Sequence, residues 1–326
     1  MDSTNRKRVF VTRALPDELL APLREAAEVD VFTTADGPID RSTLLGRVVG
    51  VDGIVSMLTD RMDEAVFEAA GAGLEVVANM AVGYDNIDLV AARQRGIVVT
   101  NTPDVLTEAT ADLTFGLILA TARRITEAER YLRAQMWTTW SPMLLTGVDV
   151  YGKTLGIVGL GRIGQAVARR AQGFGMNILY HNRHRNEHAE TVLGCHYRDL
   201  DGLLREADFV VVLVPPSPGT PAMFSTREFS LMKPTAIFVN AARGSLVDEN
   251  ALVSALRERR IHAAGLDVYA TEPIRPDHPL LDLDNVVLLP HIGSASVDTR
   301  HRMAELAIRN CQRVIEGLPP QTPVKL

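Results

Sequence analysis

The chain has 326 residues, 46% hydrophobic and 23% charged with a formal net charge of −6, enough for about two domains with large cores. No long run of one sign appears, and the short "NRKR" at residues 5–8 reads as a solvated tail, so no nucleic-acid partner is expected. Two cysteines in no C-x-x-C pair (Cys195, Cys311), no apolar leader and no run long enough to span a bilayer fit a cytoplasmic protein without a membrane or disulfide framework.

The first hundred residues alternate strand-like and helix-like segments. "RVFVT" at 8–12 leads into an amphipathic run at 16–27. "VDVFT", "GIVSM", "LEVVANM" and "GIVVTN" follow as strand candidates, with helical stretches such as 63–70 between them. This alternation predicts a mostly parallel sheet with helices on both faces. Residues 107–133 read as helical with a break near Arg124, and a loop with Trp137, Trp140 and Pro142 comes next. From Leu155 the alternation restarts with "LGIVGLG", "NILYHN", "FVVVLVP", "AIFVNA", "AAGLDV" and "NVVLLP". These runs are apolar on both faces, as buried parallel strands are, and six in one block match a Rossmann sheet. A last helix at about 299–316 stops at Gly317, with Pro319 beyond. Periodicity leaves open whether the two blocks are tandem domains or whether the last helix returns to the first block.

Two phosphate-binding patterns lie end to end in "GVDVYGKTLGIVGLGRIG". Residues 147–154 read G-x-x-x-x-G-K-T. A P-loop, however, needs a strand before its first glycine and a helix after its Thr. Here a Pro-containing loop precedes and a strand run follows, so the match is a coincidence of spacing. Residues 159–164, "GLGRIG", have the right context: an apolar strand before and helical spacing after. Gly159 permits the tight turn, Gly161 the approach of a pyrophosphate, and Gly164 close packing of helix on strand. The N-terminus of that helix supplies N–H groups and positive dipole to a diphosphate.

The end of the second strand of such a unit selects the cofactor. An acidic residue there prefers NAD. Here Asn182 holds the position, followed by Arg183 and Arg185. No carboxylate repels a 2′-phosphate and two guanidiniums can pair with it, so the reading favours NADP(H), with NAD(H) the open alternative. His181, His184, His188, Cys195 and His196 lie in the same stretch, but no acidic cluster completes a site and no metal is expected.

Three later motifs suit keto-acid reduction. "NAARGSLVDE" places Arg243, "GLDVYATEP" places Glu272, and "LLPHIGSA" places His291, each beyond the C-terminal end of an apolar strand, where open α/β sheets bind ligands. Hydride delivery to a carbonyl carbon leaves charge on oxygen, so a proton donor must sit beside it; His291 suits that task. Glu272 can stabilise the imidazolium, and Arg243 can bind a carboxylate and polarise the carbonyl.

With these residues in view, the chain resembles the D-isomer-specific 2-hydroxyacid dehydrogenases, and within them the glyoxylate/hydroxypyruvate reductases. "MAVGYDNIDL", "NTPDVLTEATADL", "YGKTLGIVGLGRIGQAVARRA", "NAARGSLVDE", "GLDVYATEP" and "LLPHIGSAS" carry the likeness. The resemblance implies two Rossmann-like or flavodoxin-like α/β domains with parallel sheets: a discontinuous substrate domain (1–100 and 291–326) and an inserted dinucleotide-binding domain (101–290). It implies an Arg–Glu–His set at Arg243, Glu272 and His291. It places substrate binding at Val82 and Gly83, whose loop offers N–H groups to a carboxylate, with Arg243 and Trp140. The cofactor positions it implies are Gly159, Gly161, Arg162, Ile163, Gly164, Asn182, Arg183, Arg185, Val214, Pro215, Thr220, Ala241, Asp267 and Gly293. It further implies a homodimer built by residues 107–140, with Trp140 reaching the partner's site, and a small 2-keto or 2-hydroxy acid as substrate.

Other readings stand beside it. Phosphite dehydrogenases carry a lysine where Val82 stands, and formate dehydrogenases a glutamine in place of Glu272. D-lactate and phosphoglycerate dehydrogenases usually carry an acidic selector where Asn182 sits. A nucleotide-sensing corepressor-like protein is the alternative outside metabolism.

Overall fold

The structure, a computed structural model, describes residues 6–33, 37–216, 220 and 222–325; Asn5 of the basic tail lies outside them. The chain forms two compact units, residues 1–106 with 295–326, and residues 107–294.

The first unit holds β1 (Arg8–Val11), α1 (Asp17–Ala26), β2 (Glu28–Val31), α2 (Arg41–Arg47), β3 (Gly53–Ser56), α3 (Glu64–Ala70), β4 (Val76–Asn79), α4 (Leu89–Gln94) and β5 (Val98–Thr100). The five strands pair in parallel in the order β2-β1-β3-β4-β5, the flavodoxin-like arrangement. β3 and β4 are buried along their whole length, which is why they read as apolar runs up to their terminal Ser56 and Asn79. Asp40, Asp63 and Asp88 start α2, α3 and α4 by accepting first-turn N–H groups.

The second unit starts with α5 (Thr107–Ala122) and α6 (Ile125–Arg133). Arg124 between them is left-handed, φ 53°, and this residue makes the break expected from the sequence. Then come β6 (Thr154–Val158), α7 (Arg162–Gly173), β7 (Asn177–His181), α8 (Glu187–Leu193), β8 (His196–Tyr197), α9 (Leu200–Glu206) and β9 (Phe209–Val212). They are followed by α10 (Thr226–Leu231), β10 (Ile237–Asn240), α11 (Glu249–Arg257), β11 (Ala263–Leu266) and β12 (Val286–Leu288). All seven strands are parallel, in the order β12-β11-β10-β9-β6-β7-β8. Numbered within the unit, this is the Rossmann order 3-2-1-4-5-6 with a seventh strand added at the β12 edge. Six of the seven strands stand out as apolar runs. β8 does not, because it is a two-residue edge strand with His196 exposed. Helix α12 (Val297–Ile315) belongs to the first unit, where it packs on α1, β3 and β4.

Candidate active site

In the second unit the order of strands reverses between β6 and β9, and the glycine turn sits at that switch point. Gly159 has φ 106°, and a Cβ there would lie 2.7 Å from the backbone of Leu213 and Val214 at the end of β9. Gly164 packs its Cα against the turn, since a Cβ would lie 2.2 Å from the Gly159 carbonyl oxygen. At Gly161 a Cβ would meet nothing within 4 Å, so this position faces open space. Gly161 also caps α7 without a side-chain hydrogen bond, so the positive end of the helix carries no side-chain cap. Such an uncapped, dipole-positive cradle fits the diphosphate of a dinucleotide. Thr154 begins β6 directly, so the G-K-T stretch before it runs into a strand, where a triphosphate cradle needs a helix.

Asn182 braces this turn: its Oδ1 accepts from the Leu160 N–H at 2.7 Å. Arg183 is exposed. Arg185 is engaged elsewhere, with Nε and Nη2 each 2.7 Å from the Glu190 carboxylate, which also accepts from the buried Tyr180 hydroxyl at 2.6 Å. The Arg185 and Tyr180 hydrogen bonds hold the Glu190 carboxyl at about 2. Val214 and Pro215 follow β9, Thr220 lies in the next loop, and Ala241 follows β10. Among the described residues no group of three or more His, Cys, Asp or Glu side chains is placed to hold a metal.

Arg243, Glu272 and His291 follow β10, β11 and β12 in turn. Nδ1 of His291 lies 2.6 Å from Oε2 of Glu272. The other Glu272 oxygen accepts from the Tyr269 N–H at 3.0 Å. Burial pushes the Glu272 carboxyl up, but the His291 and Tyr269 hydrogen bonds and the charges of His291 and Arg243 outweigh it and hold the group below its ordinary value. An ionised carboxylate only accepts, so His291 Nδ1 carries the proton of this bond, and Nε2 is the nitrogen left for a substrate.

The backbone around His291 is unusual and firmly held. His291 has φ 54°, a left-handed conformation that a Cβ-bearing residue adopts at a cost of about 1–3 kcal/mol. Asp267, buried at the end of β11, meets that cost: its two oxygens accept from the N–H groups of Ile292 and Gly293, both at 2.8 Å. Burial pushes the Asp267 carboxyl up, against these two bonds and the His291 charge. Asp267 and Gly293, expected from the sequence among the cofactor positions, also form the turn that aims His291. The Tyr269 hydroxyl donates to the Leu289 carbonyl at 2.9 Å and ties the loop after β11 to the chain leaving β12.

Arg243 is set by its neighbours. Buried Asn240 accepts from the Ala242 N–H and donates to the Arg243 carbonyl, at 3.0 and 2.9 Å, which closes the turn after β10. Gly244 then passes so close to the Tyr269–Ala270 peptide that a Cβ would lie 1.8 Å from the Tyr269 carbonyl carbon. This backbone contact puts the Arg243 loop against the Glu272 loop. Asn240, Gly244 and Tyr269 were not singled out from sequence, although the glycine directly after Arg243 in "NAARGS" was a visible sign.

In the first unit, Val82 and Gly83 follow β4 on a half-buried loop. The carbonyls of Ala81, Val82 and Gly83 are all bound within the unit, by Thr102 N–H (2.8 Å), Asn101 Nδ2 (2.8 Å) and Asn79 Nδ2 (2.9 Å). Trp140 lies in the second unit after α6; it is 75% exposed, and α6 itself buries no residue.

Comparison with known proteins places this architecture. Residues 115–293 match the model of the D-isomer specific 2-hydroxyacid dehydrogenase NAD binding domain. The chain is 52% identical over 323 residues to a glyoxylate reductase of Thermococcus kodakarensis, covering 98% of this chain and 96% of that one. It is 51% identical to a glyoxylate reductase of Korarchaeum cryptofilum, covering 97% and 95%. Among solved structures, an NADPH-dependent glyoxylate/hydroxypyruvate reductase from Sinorhizobium meliloti, in complex with NADP and malonate, superposes with a TM-score of 0.87. That match has 38% identity and covers 98% of this chain and 97% of the other. The chain belongs to the D-isomer-specific 2-hydroxyacid dehydrogenase family.

Proposed function

We propose that the protein is an NADP(H)-preferring reductase of small 2-keto acids, glyoxylate and hydroxypyruvate foremost. The observation that carries this reading is the His291–Glu272 pair at 2.6 Å, on the same strand ends as Arg243 in a Rossmann unit with an open glycine turn. The full-length likeness to glyoxylate reductases supports the substrate class. The second unit, residues 107–294, is assigned the cofactor, close to the 101–290 expected from the sequence, and the first unit, residues 1–106 with 295–326, is assigned the substrate.

The bound cofactor supplies the hydride. This chain's residues do the rest. The Arg243 guanidinium takes the substrate carboxylate and polarises the carbonyl; the resemblance assigns carboxylate binding to the N–H groups of Val82 and Gly83 as well. His291 Nε2 donates a proton to the carbonyl oxygen as charge develops there, and Glu272 stabilises the imidazolium through Nδ1. The first turn of α7 would hold the diphosphate. Of the two arginines read from sequence, Arg183 is assigned the 2′-phosphate, with Asn182 shaping the turn and Arg185 held by Glu190. In an assay of reduced-nicotinamide consumption, kcat/KM with glyoxylate is expected to be higher with NADPH than with NADH. Arg183→Ala should erase most of that preference, about 10-fold or more for a lost charge-assisted contact. A wild-type preference for NADH would overturn the cofactor assignment.

Two free, buried cysteines and the absence, among the described residues, of any helix long and apolar enough to cross a membrane support a cytoplasmic enzyme. Ile125, Leu132, Met136, Trp137, Trp140 and Met143 are large apolar side chains left exposed on and after α6. Their exposure supports a homodimer with Trp140 serving the partner's substrate. Sedimentation should give a dimer for the wild type and a monomer for Leu132→Glu; a monomeric wild type would overturn this part of the reading.

A further inference from the structure

The substrate loop after β4 owes its polarity to a set of amide side chains. In a trans peptide the C=O of one residue and the N–H of the next point in opposite directions. Fixing the Ala81 carbonyl on the Thr102 N–H therefore aims the Val82 N–H away from Thr102. Fixing the Val82 carbonyl on Asn101 Nδ2 aims the Gly83 N–H, and fixing the Gly83 carbonyl on Asn79 Nδ2 aims the Tyr84 N–H. Among the described residues the N–H groups of Val82 and Gly83 have no acceptor. Successive N–H groups held this way form an anion-binding edge.

Both amides are themselves held. Asn79, fully buried, pairs with the Asn86 amide at 3.1 and 3.3 Å and accepts from the Ser56 hydroxyl at 3.1 Å; Asn86 is anchored on the carbonyls of Met57 and Asp60. Asn101 is held by the C-terminal segment. Its carbonyl accepts from the Thr322 hydroxyl at 2.6 Å and its N–H donates to the Thr322 carbonyl at 3.3 Å. Buried Asn310 on α12 fixes that segment through the N–H groups of Gln321 and Thr322 and the Thr322 hydroxyl. A strap more than 200 residues away in the chain thus supports the residue that orients the Gly83 N–H.

We propose that Asn101, braced by Thr322 and Asn310, is a positioning residue that presets the carboxylate-binding N–H groups of the substrate loop, with Asn79 its counterpart on the next peptide. The proposal rests on the keto-acid reading above. Without the Asn101 amide, the 82–83 peptide is free to turn its carbonyl toward the substrate anion.

The test compares wild type, Asn101→Ala, the isosteric Asn101→Asp, which presents a carboxylate to the Val82 carbonyl, and Thr322→Val. Substrates are glyoxylate and an aldehyde with no carboxylate, and Kd for NADPH and Tm are measured alongside. The expected result is a rise in KM for glyoxylate of about 10-fold in both Asn101 variants, the scale of one lost oriented hydrogen bond to a charge. The fall in kcat/KM should be at least about fivefold steeper for glyoxylate than for the aldehyde, with a smaller effect of the same kind in Thr322→Val. If Asn101→Ala does not fold, Asn101→Asp and Thr322→Val carry the comparison. Equal losses on both substrates, or an unchanged KM, would overturn the positioning role while leaving the reductase reading intact. A wild type that reduces no 2-keto acid would overturn that reading and this proposal with it.

Discussion

His291→Ala is expected to lower kcat for glyoxylate reduction roughly 100- to 10,000-fold, the range over which a positioned general acid contributes. The proposed cofactor cradle is the first turn of α7 with the turn after β6, and among the described residues no hydrogen bond from the His291 side chain reaches it, so Kd for NADPH should stay within about twofold of wild type. The loss should appear in kcat and kcat/KM together, the pattern of an interaction made only in the transition state. Glu272→Gln should fall part of the way. The amide cannot supply the negative charge that stabilises the imidazolium, and it can present its NH2 to Nδ1, which favours the wrong tautomer. Single-turnover measurements separate the chemical step from product release. A His291→Ala enzyme with kcat within threefold of wild type would remove the proton-donor assignment.

The parts of this molecule legible in its sequence are those dictated by local periodicity and by burial on both faces of a parallel sheet. β3, β4, β9, β10 and β11 have every residue buried, so each appears as a mostly apolar run, with a buried polar residue only at the C-terminal end of β3, β4 and β10. The glycine turn was legible because each glycine does a different local task. Arg243, Glu272 and His291 were legible because each follows a strand that could be recognised. The bonds that aim them were not. Asp267 and Gly293 are 26 positions apart and meet only because β11 and β12 are neighbours in the sheet. Asn101 and Thr322 meet across 221 positions because the chain's end returns to β5. Arg185 looked free to bind a phosphate, since its partner Glu190 faces it only once α8 has formed. Spacing along a strand or helix reveals which residue types reach the end of the sheet. It does not reveal which of them spend their hydrogen bonds on one another.

Gly244→Ala is the change expected to be worst tolerated in the second unit outside its core. The added methyl would sit 1.8 Å from the Tyr269 carbonyl carbon, 2.1 Å from its oxygen and 2.2 Å from the Ala270 nitrogen. All three are backbone atoms, so no side-chain rotation relieves the overlap; one of the two loops must move. Neither moves cheaply. The Tyr269–Ala270 peptide is held by the Tyr269 N–H on Glu272 and the Ala270 N–H on Glu249, whose other oxygen meets His278 at 3.1 Å. On the other side, the Asn240 turn fixes Arg243. Overpacking against restrained atoms costs about 1–3 kcal/mol or more, which for a unit of this size corresponds to a fall in Tm of roughly 2–12 °C. The more specific consequence is functional. Separating the loops carries Arg243 away from Glu272 and disturbs the carboxylate that holds His291, so kcat/KM should drop about 100-fold or more, beyond what partial unfolding accounts for. Folded protein that binds NADPH normally yet reduces glyoxylate poorly is the expected phenotype, measured by cofactor titration, thermal melting and initial rates on one preparation. Full activity with an unchanged Tm would mean that the two loops are not in backbone contact, and that Arg243 and Glu272 owe their juxtaposition to something other than this glycine.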